Sequence, residues 1–146
     1  MKCSSIAILL VLATFATVLL PYQEAEATRW ASRREGWLAG RAMKAEGYRL
    51  TDASTGFLGY RRSTFVKVYM FKGVETGIFV AGCKDAKRIG IDIYNPKGTY
   101  IASDNRPTHR PYQHLKPGMT GWYWIRVNMV EYTPNGAHYS VVRGNK

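Results

Sequence analysis

Gly121-Trp122-Tyr123-Trp124-Ile125-Arg126-Val127-Asn128-Met129-Val130-Glu131-Tyr132 decides the fold. Tyr123, Ile125, Val127 and Met129 alternate with Trp122, Trp124, Arg126 and Asn128. Successive side chains of an extended chain leave to opposite faces, so a period of two marks a strand buried on one side. The first set is the core face and the second set points outward. The same period runs through Thr64–Lys72, with Phe65, Lys67, Tyr69 and Phe71 on one face and Val66, Val68 and Met70 on the other. It returns at Arg88–Tyr94, where Ile89, Ile91 and Ile93 oppose Gly90, Asp92 and Tyr94. Asn95-Pro96-Lys97-Gly98 has the residue chemistry of a turn, and Thr99–Ala102 returns from it as a hairpin. Thr76–Cys83, Tyr112–Leu115 and Ala137–Arg143 complete the strands, and Thr51–Gly59 reads as turns. Strands at regular spacing with no helix between them predict an antiparallel β-sandwich.

A different period precedes them. Thr28–Leu50 is rich in Ala, Arg, Glu, Lys and Leu, with Trp30, Trp37, Leu38, Ala42 and Ala45 near helical spacing and Gly47 as a stop. Gly36 and Gly40 weaken this helix. Arg33, Arg41, Lys44 and Glu46 lie on its other face. A basic amphipathic helix could lie on a membrane. Burial of its tryptophans on the following domain is the preferred reading, because the apolar stripe is narrow. Upstream, Lys2 precedes the uncharged apolar run Ile6–Leu20, then Pro21 and Ala25-Glu26-Ala27. These are the parts of a secretory signal peptide, cut after Ala27. The run of 15 residues is short of the roughly 20 a spanning helix needs. The expected organisation is a leader over 1–27, a helical segment over 28–52 and a β domain over 53–146, secreted or periplasmic, with no transmembrane span after cleavage.

Residues 28–146 carry 20 Lys and Arg against 8 Asp and Glu, a net +12. Such a field attracts polyanions, among them acidic polysaccharide, lipopolysaccharide and anionic lipid. The cations are scattered, and simple solubility explains them equally well. After cleavage Cys83 is the only cysteine, which excludes an internal disulfide. It ends the apolar run Ile78-Phe79-Val80-Ala81-Gly82 and reads as a buried thiol.

Three segments in order carry a resemblance: Ile78–Asp85; Ile89-Gly90-Ile91-Asp92-Ile93-Tyr94-Asn95-Pro96-Lys97-Gly98 with Thr99–Asp104; and Gly121-Trp122-Tyr123-Trp124-Ile125-Arg126-Val127. Together they resemble the bacterial pre-peptidase C-terminal domain, over about Thr64 to Val142. The resemblance implies a jelly-roll-like β-sandwich and a non-catalytic accessory or binding module; with the segment before it, the expected fold is mainly β with an N-terminal α-helix. Some relatives carry a paired cysteine near Cys83 and an acidic cluster in the next loop. Here that loop is Lys84-Asp85-Ala86-Lys87-Arg88 and no partner cysteine stands near it.

No Gly-x-Ser-x-Gly, HExxH or Walker motif occurs, so no enzyme activity is expected. No cofactor is expected either, with calcium kept open on Asp92 and Asp104, whose carboxylates are hard oxygen ligands. His109 and His114 lack a third ligand at a recognisable spacing. Trp122 and Trp124, beside Arg126, could stack rings or anchor a protein. Alternatively the N-terminal helix covers them with Trp30, Trp37 and Leu38, and this is the preferred reading, since an apolar stripe must be buried somewhere. The candidate ligand contacts are Trp122, Trp124 and Arg126, joined by Tyr112, His109 and Arg110 from the long loop Ser103–Gly118. The expected partner is an envelope or extracellular protein or an anionic polymer, and not nucleic acid physiologically. Polyanion binding and a purely structural envelope role remain as alternatives.

Overall fold

The computed structural model describes residues 29–146 except Tyr60, so the leader expected over 1–27 lies outside the described residues. Residues 29–45 form helix α1. Eight strands follow: β1 Arg49–Leu58, β2 Ser63–Met70, β3 Thr76–Gly82, β4 Ala86–Tyr94, β5 Tyr100–Asp104, β6 Tyr112–Leu115, β7 Gly121–Tyr132 and β8 Ala137–Asn145. They build two antiparallel sheets in the orders β1-β8-β3-β6 and β2-β7-β4-β5. Consecutive strands lie in opposite sheets except β4 and β5, which is the jelly-roll arrangement of an eight-stranded sandwich.

The face of β7 read as inward, and one of the two alternating faces of β2 and of β4, build the core. Val68 and Met70 of β2, Ile89, Ile91 and Ile93 of β4, and Tyr123, Ile125 and Val127 of β7 meet Ile78, Val80, Tyr139 and Val141 from the other sheet. Cys83 is wholly buried there as a free thiol.

Two local readings are corrected. Thr51–Gly59, read as turns, falls largely within strand β1. Its sequence is polar because β1 is an edge strand with nearly every side chain exposed, so no alternation is imposed on it. The helical segment expected to run to residue 52 ends at 45. Gly47 takes φ +91°, Tyr48 N–H donates to the Met43 carbonyl at 2.9 Å and Gly47 N–H to that of Lys44 at 3.0 Å. This pair of bonds is the Schellman stop, and the Tyr48–Met43 contact seals it.

The placement of α1 is the larger correction. It lies on the outer face of the β1-β8-β3-β6 sheet and touches it through small residues. A Cβ on Gly36 would stand 2.8 Å from Ser140 Cβ, and one on Gly40 2.9 Å from a Leu50 methyl. Ser140 Oγ donates to the Ser32 carbonyl at 2.6 Å. Further along, the Met43 methyl fits over Gly77 and Gly144, which face each other across β3 and β8. Ser32, Gly36, Ala39, Gly40 and Met43 are therefore the buried stripe, while Trp30, Trp37 and Leu38 face solvent. The glycines that weaken the helix in isolation let it approach the sheet.

A stability contrast follows. Gly36→Val should cost about 1–3 kcal/mol by overpacking against Ser140. Trp37→Ala, although it deletes far more apolar surface, should cost less than about 1 kcal/mol because the ring is exposed. Urea midpoints of the two variants would show the order.

Candidate functional site

With α1 on one sheet, the outer face of β2-β7-β4-β5 is left open. The registers set rows across it: Tyr69 beside Trp122; Lys67, Trp124, Tyr94 and Tyr100; then Phe65, Arg126, Asp92 and Ser103. Paired strands bring such neighbours to about 5 Å, and the rings interlock. The Tyr69 ring centroid lies 5.2 Å from that of Trp122 and 5.3 Å from that of Phe71, both edge-on. Phe65 stands edge-on to Trp124 at 6.2 Å and to Tyr94 at 6.1 Å, and Tyr94 meets Tyr100 at 6.0 Å. Lys67 Nζ sits 4.4 Å above the Trp124 ring, within cation–π range. Phe65, Trp124, Tyr94 and Gly98 line an open depression of about 480 Å³.

Trp122 is 54% exposed, and Phe65, Tyr69, Phe71 and Tyr100 are also exposed. A lone exposed ring needs no explanation, whereas contiguous exposed rings of this kind are uncommon on a protein surface. Its polar component is also ordered. Asp92 accepts from Asn128 Nδ2 at 2.8 Å and from Asn105 Nδ2 at 3.3 Å. Tyr100 OH donates to Ser103 Oγ at 2.8 Å.

Trp122, Trp124 and Arg126 thus lie together on this face, and the helix that was expected to cover the tryptophans is on the other sheet. Tyr112, His109 and Arg110 do not join them. Tyr112 belongs to β6, at the edge of the helix-bearing sheet, where its ring contacts Phe79 and His114 and its hydroxyl donates to Glu46 at 3.5 Å. Arg110 pairs with Glu35 of α1 at 2.5 Å. The His109 carbonyl accepts from Gly82 N–H at 2.9 Å. These contacts fasten the loop to the edge of the sheet and to the helix. Phe65, Lys67, Tyr94 and Tyr100 are the face members that reading single strands missed. The outward alternation of β2 signals two of them, but only the pairing with β7 and β4 brings them to Trp124.

The two aspartates also separate. Asp92 is on the outer face, whereas Asp104 pairs in register with core-facing Ile91 and is buried. Asp104 receives Arg106 Nε at 2.9 Å and a second guanidinium nitrogen at 2.7 Å, with Tyr112 N–H at 2.9 Å. The two carboxylates therefore leave the sheet on opposite faces. Among the described residues no three His, Cys, Asp or Glu side chains converge as metal ligands would.

No protein-family profile matches the chain, and no curated protein is similar to it in sequence. Solved structures do match. The pre-peptidase C-terminal domain of a Bacillus anthracis collagenase superposes with a TM-score of 0.51 at 12% identity, over 64% of this chain and 89% of that one. The chain has the fold of that domain. PliG of Aeromonas hydrophila, a periplasmic inhibitor of g-type lysozyme, gives a TM-score of 0.51 at 10% identity, over 69% of this chain and 90% of that one. At these identities the likeness is one of fold; in this chain the three segments that carry the resemblance fall on β3, β4–β5 and β7.

Asp104 gives the domain an acid-sensitive point. The Arg106 guanidinium, helped by backbone N–H groups, lowers its carboxyl from the usual 3.8 to about 2. A carboxyl with a depressed folded pKa stabilises above its ordinary pKa, and that contribution is lost as pH falls from about 4 through about 2. The expected loss is roughly 1–2 kcal/mol, because Arg106 itself is solvent-exposed. Melting temperature followed from pH 5 to pH 2 should fall more steeply in the wild type than in Asp104→Asn.

Proposed function

We propose that the protein is an exported, non-catalytic binding module that holds an envelope or extracellular protein or polymer on the outer face of β2-β7-β4-β5. The observation that carries this reading is the contiguous row of exposed rings, with Trp122, Trp124, Phe65 and Tyr94 at its centre. Interlocked rings lose little side-chain freedom when a ligand covers them, so their burial goes largely into affinity. Lys67 and Arg126 add charge at the same place. The leader-like segment 1–27 supports export, and the depth of Cys83 in the core supports a role without a thiol nucleophile. The net +12 favours a second reading, in which charge alone holds a polyanion.

Affinity retention from envelope extract, repeated at low and high salt, separates the two. A discrete partner that stays at high salt and is lost in Trp122→Ala and Trp124→Ala supports the aromatic face. Material retained at low salt only, equally by wild type and both variants, leaves charge as the active feature. Trp122→Ala should lower stability by less than about 1 kcal/mol, so loss of binding would not reflect unfolding.

A further inference from the structure

The helix carries a second surface, on the opposite side of the sandwich from the aromatic face. With the small residues turned down, Trp30, Arg34, Trp37, Arg41 and Lys44 follow one another at intervals of three and four, and so share the outward face. All five are exposed, Trp30 by 64% and Trp37 by 60%. Arg41 lies over the Trp37 ring at 4.9 Å. The acidic residues of this segment are turned away: Glu35 is engaged by Arg110 and Glu46 by Tyr112. Beside the helix, a cleft of about 390 Å³ opens towards β1 and β8. Arg33, Arg41 and Lys44 rim it, Leu50 and Val142 form its apolar floor, and none of its lining residues is acidic.

We propose that this face docks the protein on an anionic phospholipid surface. Indole is the side chain best suited to the boundary between headgroups and acyl chains, with one part apolar and the other a hydrogen-bond donor. Guanidinium and ammonium groups interleaved with it meet lipid phosphates. Trp30 stands at the start of the helix and Trp37 at its middle, with Arg34 between them and Arg41 and Lys44 beyond, so rings and cations alternate along one convex line that can lie on a plane. The cleft can take one headgroup, phosphate to the cations and chain to the floor. Docked in this way, the domain would present its aromatic face away from the lipid. The two surfaces are independent, and either can fail without the other.

The test uses the protein in the form its producing cell accumulates. It is sedimented with vesicles of phosphatidylglycerol and phosphatidylcholine, or of phosphatidylcholine alone. Binding is expected to the anionic vesicles only, with release by high salt and a blue shift of tryptophan emission. Arg34→Glu/Arg41→Glu should weaken partitioning at least about tenfold. Trp30→Ala/Trp37→Ala should weaken it and remove the shift, while Trp122→Ala leaves both intact. Melting curves check that each variant is folded. Lack of binding to anionic vesicles overturns the proposal, as does unchanged binding by both helix variants. A soluble sulfated polysaccharide is the control. If it binds as tightly as the vesicles, with the tryptophan pair dispensable to both, the surface is a charge patch and not a lipid dock.

Discussion

The close approach of α1 to the β1-β8-β3-β6 sheet governs the rest of the molecule. A helix with ordinary side chains rests about 10 Å above a sheet, separated from it by its own apolar stripe. Here the stripe is Ser32, Gly36, Ala39, Gly40 and Met43, and the sheet beneath it offers Gly77, Ala81, Ser140 and Gly144. Small residues on both sides allow contact near the backbone, the Ser140–Ser32 hydrogen bond fixes it, and Met43 fills the gap over the paired glycines. Once the helix is held there, it cannot cover the other sheet.

Two consequences follow from that one contact. The large aromatic side chains of the helix are expelled to solvent, and those of β2, β4, β5 and β7 keep an uncovered face. Both faces of the molecule are therefore rich in exposed rings with cations among them, whereas the polar pairings of the loops, Glu35–Arg110 and Asp104–Arg106, lie elsewhere and hold structure. The sandwich core between the sheets is built almost wholly from aliphatic residues with Tyr123 and Tyr139 and contains no tryptophan.

Much of this was legible in the chain. The alternation separates the two faces of β7, β4 and β2 residue by residue, and in β7 it also tells inward from outward, because a one-residue slip would turn the whole apolar set to water. The Gly47 stop and the Asn95–Gly98 turn were legible because backbone conformation there demands particular residues. Strand β1 was not, since an exposed edge strand is free of the pattern that betrays a strand. The docking of α1 was not legible either. The tryptophans suggested an apolar stripe, and the small-residue stripe opposite them looked like weakness. The spacing of Ser32, Gly36, Gly40 and Met43, read together with Gly77 and Gly144, was the available signal. Which face a helix chooses depends on the fit of two surfaces, and no single segment contains that information.

Every tryptophan of this chain is directed away from the core. Tryptophan fluorescence tests it most directly. Trp30, Trp37 and Trp122 are exposed and Trp124 is partly covered by Lys67 and Phe65. Native emission is expected at long wavelength, quenched by acrylamide nearly as well as in the unfolded protein, with little shift on denaturation. Short-wavelength emission resistant to quenching, moving sharply to the red on unfolding, would mean that tryptophans are buried and that the helix lies where the sequence first suggested.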